Sequence, residues 1–347
     1  MLLNLLYFSI EILIIVFVHE FGHYIVAKKF GVKIIEFSIG FGRQIFSYKN
    51  KAGEIFKICL LPFGGYVKMF GDNNASGSFG YKQKPTKDDL KYSMADKHPI
   101  KKILISFAGP FMNILLAFIL FVGLFTIKGI HKVEPIITQI SSKSIAENIG
   151  LKIGDRIISI NNYNIDNFND IRRAITKTID NELKIKIERN NKQIDLNTKY
   201  HKVSILGIAG DRIVYKKTTP INAIQEAFNE VWLLSKTTCI GFINMIIHHN
   251  TNSIGGPISI AKQSTKAAKT GVSSFIYFIA IISISLGVIN LFPIPLLDGG
   301  HILFSLIELI INKKIPNKIY KISLYLGLIV VGFLIFIGFF NDIFIHR

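Results

Sequence analysis

A chain of 347 residues that is half hydrophobic and carries a net charge of +18, with its apolar residues gathered into long runs, has the composition of an integral membrane protein and not of a soluble domain. Its lysines flank those runs, so the basic excess suits anionic lipid headgroups and gives no reason to expect nucleic acid. The two cysteines, Cys59 and Cys239, form no CxxC pair and indicate neither a disulfide framework nor a thiolate metal site.

The first run extends from Leu2 to Ala27 and ends at Lys28-Lys29. It is too long for a secretory leader, no basic residue precedes it and no small-residue cleavage site closes it, so it reads as a retained transmembrane helix. Its second half holds His19-Glu20-Phe21-Gly22-His23, an H-E-x-x-H sequence. Helical residues four apart lie about 40° apart in azimuth and roughly 6 Å apart along the axis. His19 and His23 therefore face one way and can share a metal ion, with zinc the natural choice. Glu20 projects beside them, within reach of a proton on an attacking water. Each ionisable group near a bilayer centre costs on the order of 2.5–3.5 kcal/mol, so three of them in five positions need a partner. His23 lies about 7 Å and His19 about 13 Å inside the lysine edge, whereas Glu11 falls about 25 Å from it, near the opposite interface.

Residues 32–69 alternate and are rich in Ile, Phe and Gly; Ile34–Ile39, Gln44–Tyr48 and Ile55–Leu61 read as short strands bent at Gly40–Gly42 and at Pro62–Tyr66. They form either an ordinary hairpin on the membrane surface or an edge that pairs with an extended peptide. Residues 72–99 read as a polar loop. A second span runs from Lys101 to Ile127 and contains Gly109, which permits close helix approach, and Pro110, which frees a backbone carbonyl. Asn113 in the same span is either an interhelical hydrogen bonder or part of a site.

From His131 to Lys202 the character is that of a soluble domain. Strands are expected at Pro135–Ile140, Arg156–Ile160, Leu183–Glu188 and Gln193–Asn197, with a helix at Asn167–Thr178 capped by Asn167 or Asp166. The stretch from Ser144 to Asn161 resembles the PDZ domains of bacterial proteases, which bind an extended peptide between a strand and a helix. Residues 221–249 are apolar but interrupted by Gln225, Glu226, Glu230 and Lys236, which suits a helix lying at the membrane surface. His248 and His249 are adjacent and point about 100° apart, so they are read as surface histidines. Ser253–Pro257 reads as a turn. A third span, Ser274–Ile294, runs into Asn290-Leu291-Phe292-Pro293-Ile294-Pro295-Leu296-Leu297-Asp298-Gly299-Gly300-His301. Two prolines two apart force a helix break. Asp298 after that break either meets a cation or caps the next helix. Lys313, Lys314, Lys318 and Lys321 form a basic loop before a fourth span, Ile322–Phe340.

The expected fold is a mainly α membrane protein. It has four transmembrane helices, a membrane-associated β hairpin or sheet, and one inserted external PDZ-like α+β domain. Residues 1–127 hold the first two spans and the β region, 128–205 the PDZ-like domain, 206–271 an external amphipathic segment, and 272–347 the last two spans. Lysine flanks place residues 28–102 and 313–321 in the cytoplasm and the PDZ-like domain outside.

Together, the H-E-x-x-H sequence, Phe37–Gly42, Gly64–Met69, Gly255–Lys262 and Asn290–His301 resemble the site-2 protease family of intramembrane zinc metalloproteases, most of all its bacterial regulator-of-sigma-E branch. The resemblance covers nearly the whole chain. It implies that His19, His23 and Asp298 bind zinc, that Glu20 is the general base, and that Asn290, with Gly65 and Tyr66 in the edge strand, positions substrate. It implies a multi-pass protein of the bacterial inner membrane that performs regulated intramembrane proteolysis. Its substrates would be single-pass membrane proteins, such as anti-sigma factors and signal-peptide remnants, cut after a first protease has acted. One departure is that two tandem PDZ domains are usual in that branch, and this chain has one. Asp298 is also the third ligand left by elimination, because Glu11 lies near the wrong interface and Glu308 more than two turns beyond the glycine pair. The rivals are a membrane scaffold and a metal transporter, neither of which needs a glutamate beside the first histidine.

Overall fold

The computed structural model of the chain describes residues 2–71, 90–142, 144–177, 182–199, 206–210, 213–248 and 255–344. In chain order the helices are α1 (Leu2–Lys29), α2 (Pro99–Lys128), α3 (Ile145–Asn148), α4 (Phe168–Lys177), α5 (Pro220–His248), α6 (Pro257–Thr270), α7 (Val272–Asn290), α8 (Asp298–Ile311) and α9 (Asn317–Phe344). The first two strands are β1 (Ile34–Lys49) and β2 (Ile55–Met69). The chain divides into two units, residues 1–124 with 224–347, and residues 125–223.

In the first unit, α1, α2, α5, α7 and α9 are long and apolar enough to cross a membrane. The sequence suggests four spans, and the additional candidate is α5, for which the sequence suggests a surface helix. Its Gln225, Glu226 and Glu230 fall within the first three turns, and Lys236 is the sole Asp, Glu, Lys or Arg from Val231 to His248. The polar residues are bunched at one end instead of spread along one face, so length and hydropathy admit the helix. Its mean hydropathy of 1.3 is still the lowest of the five.

The helices are tied at identifiable points. Ser283 on α7 donates to the Asn113 carbonyl on α2 at 2.8 Å. Tyr277 on α7 donates to Glu230 on α5 at 2.5 Å, and Phe242 on α5 packs on Phe292 with ring centroids 4.3 Å apart. The N-cap of α6 is Gly256, which has no side chain to offer. Asp342 on α9 substitutes for it, accepting from the backbone N–H groups of Gly256, Ile258 and Ser259 at 2.9, 2.8 and 3.1 Å.

The sheet is more folded than a plain hairpin. Residues 34–39 of β1 pair with residues 65–69 of β2, from Ile34↔Met69 to Ile39↔Gly65, and also with residues 55–58, from Glu36↔Ile55 to Ile39↔Ile58. Residues 44–49 pair with 55–59. The change of partner falls at Gly40 and Gly42, whose φ angles of +84° and +85° suit glycine. Residues 65–69 thus form an edge. The other end is anchored to α1, because Glu54 accepts from Tyr24 at 2.9 Å and pairs with Lys28 at 3.1 Å. Ala27, Val32, Ile34, Phe37, Val67, Met69 and Ile105 form the buried apolar cluster beneath the sheet. Of the expected loop at residues 72–99, residues 72–89 lie outside the described residues, and Met94–Asp96 form a 3-10 turn.

The second unit holds β3 (Ile130–Val133), β4 (Gln139–Ile140), β5 (Arg156–Ile160), β6 (Tyr163–Asn164), β7 (Glu182–Arg189), β8 (Lys192–Lys199), β9 (Ile208–Ala209) and β10 (Ile213–Lys216). A four-stranded sheet has the order β6-β5-β7-β8, and β3–β10 and β4–β9 form separate pairs. Alternating residues of β7, Leu183, Ile185 and Ile187, enter a core completed by Ile137, Leu151, Ile157, Ile160 and Ile171. Asn167 stands at the N-cap position of α4, one of the two expected, and Asp170 three residues on accepts from its backbone N–H at 3.0 Å, as in a capping box. The first expected strand shrinks to β4, with Ile136 making only an isolated bridge to Arg156. Arg189 holds Asp155 at 2.7 Å through both its Nε and an Nη.

Candidate metal centre

The site is assembled from three helices and one strand edge of the first unit. α1 supplies His19 and His23 one turn apart, both buried. α2 crosses them at Gly109, where a Cβ would lie 2.2 Å from His23 Nε2 and 2.9 Å from His19 Cε1. Only a glycine lets the two imidazoles lie against this helix. The same crossing uses Gly22 on α1, whose Cβ would meet the Ala108 carbonyl oxygen at 2.5 Å.

Asp298 arrives as the first residue of α8. The break after α7 is made by Pro293 and Pro295, as expected, and it places the start of α8 hard against the loop. A Cβ on Gly299 would stand 2.2 Å from the Phe292 carbonyl oxygen, and one on Gly300 2.5 Å from that of Ile294. The carboxylate of Asp298 is not used as a helix cap, since the N-cap position belongs to Leu297. It reaches His19 Nε2 at 3.1 Å through Oδ2 and His23 Nε2 at 3.3 Å through Oδ1, and the two Nε2 atoms are 3.2 Å apart.

These spacings allow a direct test of fit to zinc. Donor atoms about 2.0–2.1 Å from a common centre in a tetrahedral arrangement are about 3.3–3.4 Å from each other. The two Nε2 atoms lie close to that separation, and Asp298 brings one carboxylate oxygen to a similar distance from each histidine, 3.1 Å for Oδ2 and 3.3 Å for Oδ1. The second requirement is that each histidine keep its Nε2 lone pair by carrying its proton on Nδ1. His23 does so, with Nδ1 2.7 Å from the Ile105 carbonyl oxygen. Among the described residues, His19, His23 and Asp298 are the group of three such side chains close enough to hold a metal ion. The residues present fit zinc. Glu11 is buried but outside the group, and Glu308 is committed to Lys102 at 2.9 Å.

Glu20, Gly65, Tyr66 and Asn290 line one cavity of about 550 Å³ together with the three candidate ligands. Glu20 is buried and its carboxylate accepts a hydrogen bond from the Val67 backbone, on the edge of the sheet. Gly65 is where that edge meets α1, for a Cβ there would lie 3.0 Å from Glu20 Cγ and 2.9 Å from Val16 Cγ1. Tyr66 donates to Glu36, which also pairs with Lys57 at 2.8 Å. Burial raises the Glu36 carboxyl, but the hydrogen bonds from Lys57 and Tyr66 outweigh it and hold the group below the usual carboxylate range. Burial, reinforced by Glu36, pushes the Tyr66 hydroxyl up to about 12. Tyr66 is therefore a neutral donor whose ring, stacked on Phe41, faces the cavity wall.

Three features of the site escaped the sequence reading. The carbonyl that orients His23 belongs to Ile105, although Pro110 removes the helical donor of its neighbour Ser106; a backbone acceptor has no residue signature. His301, one turn beyond Asp298, lines the cavity and is 2.6 Å from the Tyr320 hydroxyl. The mouth carries Lys102–Glu308 and Lys314–Asp96 ion pairs between segments far apart in sequence. The second histidine tract gave nothing further, as the His248 side chain and His249 lie outside the described residues.

Comparison with known proteins gives the family. The sequence profile of peptidase family M50 matches residues 7–334. A Rickettsia conorii protein is 36% identical over 358 residues, covering 99% of each chain. Relatives from Clostridium perfringens, 34% identical over 93% of this chain and 92% of their own, and from Campylobacter jejuni, 32% identical over 99% and 96%, are similar along their length. All three carry the name "Putative zinc metalloprotease". With the family profile covering nearly all of it, the chain belongs to peptidase family M50, the site-2 proteases, and is a zinc metalloprotease.

Proposed function

We propose that the protein hydrolyses peptide bonds within or beside the transmembrane segments of single-pass membrane proteins. The observation that carries this reading is the cluster of His19, His23 and Asp298, with Glu20 in the same cavity: the histidines and Glu20 lie on a helix apolar enough to span a bilayer, and Asp298 follows the end of another. Zinc held by those three residues supplies Lewis acidity, which polarises a carbonyl and acidifies water near neutral pH. Glu20 takes the proton of the attacking water and returns it to the leaving amine. The Val67 N–H holds the Glu20 carboxylate at the cavity. Residues 65–69 offer a strand edge to an unwound substrate segment, so that backbone hydrogen bonds hold it irrespective of its letters. Asn290 hydrogen-bonds the substrate backbone near the scissile bond.

The substrates are anti-sigma-factor-like proteins and signal-peptide remnants whose external part has already been removed. The β-rich second unit is PDZ-like and binds an extended peptide on the periplasmic side of the bacterial inner membrane. Incubating purified protein with a tagged transmembrane substrate, with and without a zinc chelator, tests the reading. Chelation is expected to stop cleavage and added zinc to restore it. Glu20→Gln is expected to keep zinc and lose cleavage, and Asp298→Asn to lose both. Cleavage unaffected by chelation and by Glu20→Gln would sink the assignment.

A further inference from the structure

We propose that Asn113 is a positioning residue that sets the tautomer of His19 and so completes the metal centre. The proposal rests on the zinc-site reading above. For both histidines to offer Nε2, each Nδ1 must carry a proton, and that N–H, once buried, needs an acceptor. His23 has the Ile105 carbonyl. The partner of His19 Nδ1 is the side-chain amide of Asn113, at 3.3 Å through its nitrogen.

Asn113 is fully buried, and its Oδ1 has no hydrogen-bond partner among the described residues. The amide as placed donates to His19 Nδ1, which leaves the proton on Nε2, where it meets Asp298. The nitrogen and oxygen of an amide are interchangeable by a half-turn about its last side-chain bond. After that turn Oδ1 faces Nδ1, the imidazole donates to it, and Nε2 presents a lone pair to the position shared with His23 and Asp298. The Asn113 amide can thus supply the acceptor that ligation through His19 Nε2 requires.

The surroundings hold the residue in place while leaving the amide this freedom. The Asn113 carbonyl is fixed by Ser283 of α7 at 2.8 Å, and its Cβ would be 3.3 Å from a Cβ on Gly287. Asn113 therefore joins α1, which carries the histidines, to α7, which leads to Asn290 and Asp298.

The test is the zinc affinity of the full-length protein in detergent, measured by competition with a chromophoric chelator, with the His19 tautomer read from imidazole 15N shifts. Asn113→Asp retains an acceptor of the same shape and is expected to bind zinc as tightly as the parent or more tightly. Asn113→Leu has the shape without the acceptor, and about a 10–100-fold loss of affinity is expected, with His19 no longer held in the Nδ1–H form. Asn113→Ala is expected to lose affinity likewise, and it decides the matter if the leucine variant does not fold. Parental affinity in Asn113→Leu or Asn113→Ala, or equal losses in Asn113→Asp and Asn113→Ala, would overturn the proposal. A parent protein that itself fails to bind zinc would instead overturn the reading of the site.

Discussion

At the scale of single residues, the centre depends as much on missing atoms as on ligands. The two imidazoles occupy the space that a Cβ on Gly109 would fill. Gly109→Ala is therefore expected to push His23 off its position and cut zinc content and cleavage severely. Gly123→Ala on the same helix, with nothing within 4 Å of its Cβ, should leave both unchanged. Equal zinc content in the two variants would show that α2 can back away from the histidines. The candidate ligands that the structure brings together were legible in the sequence because metal chemistry restricts residue type and helix geometry restricts spacing, which pairs His19 with His23. Asp298 was legible as the carboxylate after a forced break. What surrounds them was not, because Ile105 acts through a backbone oxygen. Asn113 is ambiguous in the sequence because a polar residue in an apolar helix has many uses.

At the scale of elements, the spans expected for α1, α2, α7 and α9 end within about five residues of the helices observed, since long apolar runs leave little choice, with lysines marking both ends only of α2. The sheet was less legible. Its segments were identified, but their order follows from the turn at Gly40–Gly42, and no local pattern says that residues 55–58 lie beside residues 34–39. The cap of α6 was equally hidden, because the capping carboxylate comes from another helix. Asp342→Ala removes three backbone hydrogen bonds at a buried helix start, and a loss of about 1–2 kcal/mol is expected, the upper range for a cap. Thermal unfolding in detergent should show a lower midpoint, while zinc affinity stays at the parent value. A variant as stable as the parent would mean that the α6 start finds other acceptors.

At the scale of the whole molecule, the site itself restricts the topology. His19 and His23 lie near the lysine-rich end of α1, and Asp298 follows the end of α7, so α1 and α7 must run in the same direction across the bilayer. α2 returns the chain between them, and residues 129–271 must then begin and end on one side. If α5 crossed fully, α6 would have to return, and its 14 residues reach only about 21 Å, short of a hydrocarbon core of about 30 Å. We therefore expect four crossings, with α5 on the outer side. Reporter fusions at residues 177 and 252 should agree with each other and oppose one at Lys87. A cytoplasmic report at 252 would make α5 a fifth crossing. Removing residues 131–203 takes away none of the residues of the metal centre. The shortened protein is expected to cut an already trimmed substrate at least as fast and to accept untrimmed ones; a stably inserted but inactive form would assign the second unit a part in catalysis.

The distance along the chain between the first two ligands and the third has a consequence for biosynthesis. His19 and His23 leave the ribosome almost at once, whereas Asp298 follows only after two further spans and the whole second unit have been made. An unfinished chain therefore carries an H-E-x-x-H helix with no third ligand to secure a metal ion. With Asp298 as the third ligand, newborn molecules are expected to be inert towards their neighbours at the insertion machinery. Competence would then come late, once α8 is in place, and a tightly held zinc ion would mark a molecule whose insertion is complete.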